Sequence, residues 1–161
     1  MFGFSGELPP ARGLLVGECL GPNTDPRTPM FPSPPNSAAE RLMKYGGLTP
    51  EEYLGRLERV SQCVFTWDDF EALERQKLIV RWLFQPENQY RGMPLRVLLL
   101  GRRVQQSWSI VKTGGFGYER WMGIQVAYAP HPSGLSHTYN DPSARARMRR
   151  YLRWTAGLGT E

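Results

Sequence analysis

The sequence has few cysteines, few lysines and no long apolar run, and each shortage excludes a class of protein. Cys19 and Cys63 are the only cysteines among the 161 residues. Two are too few for a disulfide framework or for a four-thiolate metal or iron–sulfur site. No apolar stretch approaches the ~20 residues that span a bilayer, and the N-terminus lacks the pattern of a signal peptide. We therefore expect a cytoplasmic protein that uses no metal and no cofactor.

What the sequence does contain fits one domain over residues 1–161. Hydrophobic residues make up 40% of the chain and charged residues 22%, which is ordinary for a globular protein. The formal net charge is +5, and only Lys44, Lys77 and Lys112 among the 20 basic residues are lysines. The planar fork of arginine suits phosphates and base edges. The charge therefore agrees with a nucleic-acid partner, and equally with a solvated, arginine-rich surface.

Short apolar runs bounded by glycine predict strands, and capped amphipathic stretches between them predict helices. The predicted strands are residues 13–17, 63–66, 95–101 and 123–129. The predicted helices are residues 37–46, a short helix opened by Thr49 and Pro50, and residues 68–84, 102–111 and 141–156. In helix 68–84 the predicted apolar face consists of Phe70, Leu73, Leu78 and Leu83. This alternation predicts an α/β fold, a three-layer αβα sandwich with a central four-stranded parallel sheet.

Ligands of parallel sheets bind beyond the carboxyl ends of the strands, so the loops after the strands are the candidate sites. The first predicted strand runs into Gly-Glu-Cys-Leu-Gly-Pro-Asn (17–23), and the last runs into His-Pro-Ser-Gly-Leu (131–135). The two loops resemble the signatures of the uracil-DNA glycosylase superfamily, a Gly-Glu-x-Pro-Gly-like loop after the first strand and a His-Pro-Ser loop after the last. The order and spacing of the predicted elements are similar over residues 13–158.

The resemblance implies a monofunctional DNA glycosylase, which flips a base out of DNA and hydrolyses its N-glycosidic bond. Glu18 matches the glutamate of the Gly-Glu branches and would position water and stabilise the sugar cation, while His131 would donate to the departing base. Asn23 is a second candidate for holding the water, with an Asx turn as its alternative. For Glu18 the alternative is a loop hydrogen-bond acceptor, and for His131 a surface histidine. We interpret Cys19 as a buried packing residue, since this hydrolysis needs no thiolate.

Three further positions bear on which base is bound. Phe31 resembles the aromatic residue that stacks on the flipped base, although packing in the core is its alternative. Thr66 ends the second predicted strand where uracil-specific members carry asparagine, and Gly21 replaces a tyrosine that blocks 5-substituents in the most stringent uracil enzymes. These departures favour a 5-modified pyrimidine, such as hydroxymethylated or glucosylated cytosine in phage DNA, for a bacterial or phage-encoded enzyme. Uracil excision in base-excision repair is the alternative.

The DNA contacts are predicted in the second loop and the last helix. Ser133 and Gly134 would grip phosphates while Leu135 fills the gap left by the flipped nucleotide. The last helix carries five arginines in nine residues: Arg145, Arg147, Arg149, Arg150 and Arg153. Arg145 and Arg149 are the predicted phosphate contacts of a monomeric protein that binds DNA and no membrane. A non-catalytic DNA-binding protein with a glycosylase fold and a small-molecule nucleosidase are the rival interpretations.

Overall fold

The computed structural model describes residues 12–19, 37–90, 92–109, 115–132 and 137–158. Strands and helices alternate along these ranges. They are β1 (Gly13–Cys19), α1 (Ala38–Gly46), α2 (Pro50–Arg56), β2 (Leu57–Cys63), α3 (Asp69–Leu83), β3 (Gln89–Tyr90), β4 (Met93–Pro94), β5 (Arg96–Leu100), α4 (Arg102–Ser107), β6 (Gly117–Trp121), β7 (Ile124–Ala129) and α5 (Pro142–Thr155). None of the helices in the described ranges has the length and apolar character to cross a membrane.

The central sheet has five strands in the order β2-β1-β5-β7-β6. Strand β1 pairs in parallel with β2 and β5, β5 pairs in parallel with β7, and β6 runs antiparallel to β7. The α/β class is therefore confirmed, but the sheet is mixed and wider than predicted. The added strand forms a hairpin with β7 through Met122 and Gly123, which both have positive φ (49° and 85°). Such a turn joins two antiparallel strands without splaying them.

Helices cover both faces of the sheet, because the strand side chains alternate between two cores. Leu15 faces a core that contains residues of α1, α2 and α5. Leu14 and Val16, its neighbours in β1, face a second core that contains residues of α3 and α4. The result is three layers. The carboxyl ends of β1, β5 and β7 lie together at one edge of the sheet, where the predicted site residues were expected.

The prediction for the second strand is wrong, because β2 ends at Cys63 instead of beginning there. The sequence of β2 does not look like that of a buried strand, because two of its interior residues are the polar Arg59 and Gln62. The Nη1 of Arg59 donates to the carbonyl of Leu57 at 2.6 Å, and the side-chain amide of Gln62 donates to the carbonyl of Ala72 at 3.0 Å. Arg59 is only partly satisfied, since its buried Nε and Nη2 have no partner among the described residues. Buried polar side chains of this kind break the apolar pattern from which strands are predicted.

Helix α3 forms, but of the predicted apolar face only Leu83 is buried. Phe70, Leu73 and Leu78 are 73%, 45% and 46% exposed. The buried face of the helix consists of Ala72, Gln76, Ile79 and Leu83. Small or hydrogen-bonded residues fit this interface because α3 lies close to β2 and α4, and the amide of Gln76 donates to the carbonyl of Ser107 at 3.2 Å. Helix α4 ends at Ser107, four residues before its predicted end.

Candidate active site

The ends of three parallel strands bring Glu18 and His131 together. Glu18 is the penultimate residue of β1, Gly101 directly follows β5, and His131 lies two residues beyond β7. A Cβ atom placed on Gly101 would lie 2.7 Å from the Glu18 carboxylate oxygen and 3.4 Å from the Cβ of His131. The two predicted catalytic residues therefore meet over the backbone of Gly101. Glycine is required there both for the space and for its φ of +98°.

The His131 imidazole is held in its neutral form. Burial lowers its pKa from the ordinary value of 6.5, the Glu18 carboxylate opposes that shift, and the Arg41 guanidinium adds to it. A neutral imidazole carries one N–H donor and one lone pair. At neutral pH this site therefore combines a hydrogen-bond donor with the carboxylate of Glu18, and the donor brings no positive charge of its own.

Four hydrogen bonds fix the backbone on both sides of His131. Before it, the carbonyl of Ala129 accepts from the side-chain amide of Gln105 at 3.0 Å and from the Gly101 N–H at 2.9 Å. The Tyr139 hydroxyl donates to the carbonyl of Pro130 at 2.6 Å. After it, the Nε of Arg41 donates to the carbonyl of Pro132 at 3.2 Å. A side chain supported in this way is oriented before any ligand arrives.

Cys19 and Cys63 lie side by side at the ends of β1 and β2, where they are register partners. Burial, with help from Cys63 and Glu18, raises the pKa of the Cys19 thiol to about 11. Burial also raises the pKa of Cys63. Both remain protonated at neutral pH and are poor nucleophiles and metal ligands. Within the described ranges no group of three or more His, Cys, Asp or Glu residues could hold a metal ion.

The other predicted site residues fall in two groups. Thr66 follows the end of β2 by three residues and is exposed, because that strand lies earlier than predicted. Six others lie outside the described residues: Gly21, Asn23, Phe31, Ser133, Gly134 and Leu135.

The arginines of α5 divide between two environments. Arg145 donates to the carbonyl of Tyr139 at 2.8 Å, and Arg153 donates to the carbonyl of Gly46 at 3.3 Å. The Arg149 guanidinium lies directly against Gly47 at the end of α1. Cations are favoured there by the helix dipole and the last carbonyls. Arg147 is exposed, as Arg145 is, but it lies 5.6 Å from the Phe116 ring centre and lines a cavity of about 480 Å³.

Sequence reasoning missed two residues of the site. A glycine placed directly after a buried strand was the available signal for Gly101, because a missing side chain at a strand end leaves room for neighbours. No sequence signal indicates Arg41, which lies 91 residues from the Pro132 carbonyl that it holds.

No protein-family model matches the chain, and no curated protein sequence matches it. A function is therefore inferred from the geometry of Glu18, Gly101 and His131.

Proposed function

We propose that the protein is a monofunctional DNA glycosylase, which flips a non-standard pyrimidine out of DNA and hydrolyses its N-glycosidic bond to leave an abasic site. One observation carries the proposal: a carboxylate and a neutral imidazole meet over Gly101 at the carboxyl edge of a parallel sheet. Ligands of such sheets bind at this edge. The finer likeness to the uracil-DNA glycosylase fold belongs to the same proposal.

The two groups match the two charges that this hydrolysis creates. As the bond between C1′ and the base nitrogen breaks, its electron pair leaves with the base, and the sugar becomes cationic. Glu18 stabilises that cation and positions the water whose oxygen forms the new bond to C1′. His131 donates a hydrogen bond to the base as it becomes an anion. The base finally takes up the proton that the water loses.

The same pair argues against a protein that only binds DNA. A carboxylate beside a phosphate chain weakens binding, since affinity for DNA comes from neutralising phosphates. A buried, neutral imidazole also adds no positive charge that could neutralise a phosphate. A binding protein gains nothing from either. As the base we favour a 5-modified pyrimidine over uracil, on the absence of an asparagine from residues 64–67 and on Gly21.

Substitution of the two catalytic candidates separates chemistry from binding. Glu18→Gln and His131→Ala should bind substrate DNA nearly as well as wild type, because phosphate contacts carry most of the affinity. Both should excise the base at least about tenfold more slowly, since a donor of this kind typically contributes ~10²–10³ in rate. Binding is measured by filter retention and excision by alkaline strand cleavage in single turnover.

The substrate panel contains uracil, mismatched thymine, 5-hydroxymethylcytosine and glucosylated 5-hydroxymethylcytosine in otherwise identical duplexes. Excision of uracil alone would favour the repair enzyme. Unaltered excision by Glu18→Gln would show that another group positions the water. If the wild-type protein excises nothing from the panel but binds every duplex, the interpretation as a non-catalytic DNA-binding protein replaces this one.

The arginine contacts are tested by salt dependence. Replacing Arg145 and Arg149 together by alanine should weaken binding equally across sequences and reduce the slope of log affinity against log salt by about two units. Lys77→Ala is the control, because Lys77 is exposed on α3, across the sheet from α5. A slope unchanged from wild type would show that Arg145 and Arg149 only brace α5.

A further inference from the structure

Arg41 lies far from His131 in sequence but beside it in the fold. It belongs to the first turns of α1, which Ser37 caps by accepting from the Glu40 N–H. From there its Nε donates to the carbonyl of Pro132, the residue that follows His131. The hydrogen bond joins a helix to the loop beyond β7. Arg41 is half-buried, so its charge is less screened than that of an exposed arginine.

We propose that Arg41 is a positioning residue for His131, which fixes the backbone beside the imidazole through the Pro132 carbonyl and places a positive charge near the ring. The inference deepens the proposed function and rests on it for its kinetic consequences. Its electrostatic part concerns only the histidine and can be measured without any substrate.

The charges around His131 define what Arg41 adds. Glu18 reaches the site from β1 and favours the protonated imidazole, whereas Arg41 reaches it from α1 and disfavours that form. Arg103 of α4 acts on Cys19 instead. His137 and Asp141, which precede α5, line the cavity beside Arg147. The Glu18 carboxylate therefore favours protonation of the imidazole and the Arg41 charge disfavours it. Arg41 offsets part of the effect of the carboxylate.

The neutral form of His131 matters because its N–H is needed as a donor when the base departs. A histidine protonated in advance would pair with Glu18 and neutralise the carboxylate that the sugar cation requires. The hydrogen bond from a neutral imidazole becomes stronger as negative charge develops on the base, and such a gain in the transition state accelerates the reaction. Burial is the largest cause of the lowered pKa of His131 and Arg41 adds to it, so both oppose an ion pair between Glu18 and His131 before the base is bound.

The test follows the titration of His131 by NMR in the whole protein. The chain has only two histidines, so His137→Gln assigns the imidazole signals. We expect Arg41→Gln to move the His131 titration to higher pH and Glu18→Gln to move it lower. Arg41→Lys should restore most of the wild-type value, because it retains the charge. Lys44→Gln is the matched control, since Lys44 lies on the same helix but is exposed and pairs with Glu40 at 3.1 Å.

The kinetic arm measures single-turnover excision against pH. Arg41→Gln should excise about tenfold or more slowly at neutral pH, because small misplacements of catalytic groups are costly. The acidic limb of its profile should shift to higher pH in step with the titration. A His131 titration that stays in place or falls in Arg41→Gln would overturn the inference. If the titration rises as expected while wild-type protein excises nothing, the proposed function fails and the electrostatic role of Arg41 stands.

Discussion

Two regions of this molecule bury polar side chains, and they use hydrogen bonds in opposite ways. Around β2, the side chains satisfy one another: Gln62 donates to the hydroxyl of Ser107 at 2.6 Å and accepts from the indole of Trp108 at 3.1 Å. At the ends of β1, β5 and β7, side chains donate to the carbonyls that flank His131. One region holds side chains to build a core. The other holds a backbone so that two titratable side chains are presented to a ligand.

The largest expected effect comes from filling the space between Glu18 and His131. Gly101→Ala would place a Cβ against the Glu18 carboxylate and should slow excision by about 100-fold or more, with DNA binding retained. Gly123→Ala is the matched control, because Gly123 has a similar φ of +85° but no atom within 4 Å of its missing Cβ. Single-turnover rates of the two variants separate the lost space from backbone strain. Equal rates would show that the meeting of Glu18 and His131 is not the site.

A smaller effect is expected from the β2 region, and on stability instead of chemistry. Gln62→Leu leaves the Trp108 indole N–H without its partner and removes the bonds to the Ser107 hydroxyl and the Ala72 carbonyl. An unpaired buried group costs about 1–3 kcal/mol. We expect a loss of about 2–3 kcal/mol in the free energy of unfolding, measured with urea. Gln106→Leu, exposed on α4, should change it little. A selective loss of excision in well-folded Gln62→Leu would contradict the division between the two regions.

The smallest effect concerns pH. Because the pKa of His131 is lower in the folded protein than its ordinary value of 6.5, the unfolded chain binds this proton first as the pH falls. The stability that depends on neutral His131 is therefore complete above about pH 6.5 and declines as the pH falls towards the lowered pKa. Urea unfolding of wild type and His131→Gln between pH 7.5 and 5 should show a decline that the variant reduces and His137→Gln leaves intact. Parallel curves for wild type and His131→Gln would show that His131 is not desolvated.

The elements that could be predicted from the sequence are those in which local pattern and tertiary packing agree. The apolar runs of β1, β5 and β7 are buried on both faces, and Ser37 and Thr49 cap their helices as expected. Strand β2 could not be predicted because its buried Arg59 breaks the apolar pattern and its buried Gln62 depends on partners in other elements. The turn before β7 has Met122 where hairpins usually carry asparagine or aspartate, so β6 gave little local signal.

The candidate site divides in the same way. Glu18 and His131 could be predicted because their motifs follow apolar strands at the edge where parallel sheets bind ligands. Thr66 was placed too close to the sheet because the strand before it was placed too late. Arg41 could not be found, since its role exists only once α1 lies against the loop after β7. Sequence motifs located Glu18 and His131, while the groups that support them depend on contacts between distant segments.

The contact between α1 and α5 affects the folding rate of the chain. Arg153 bonds to the carbonyl of Gly46 across 107 residues, and Gly13 of β1 pairs with Arg96 of β5. Closing loops of this length costs conformational entropy before the stabilising long-range contacts can form, and this slows folding. The core facing Leu15 remains open until α5 docks. Docking of α5 should therefore be a late event, and a refolding chain should expose this apolar face until it occurs.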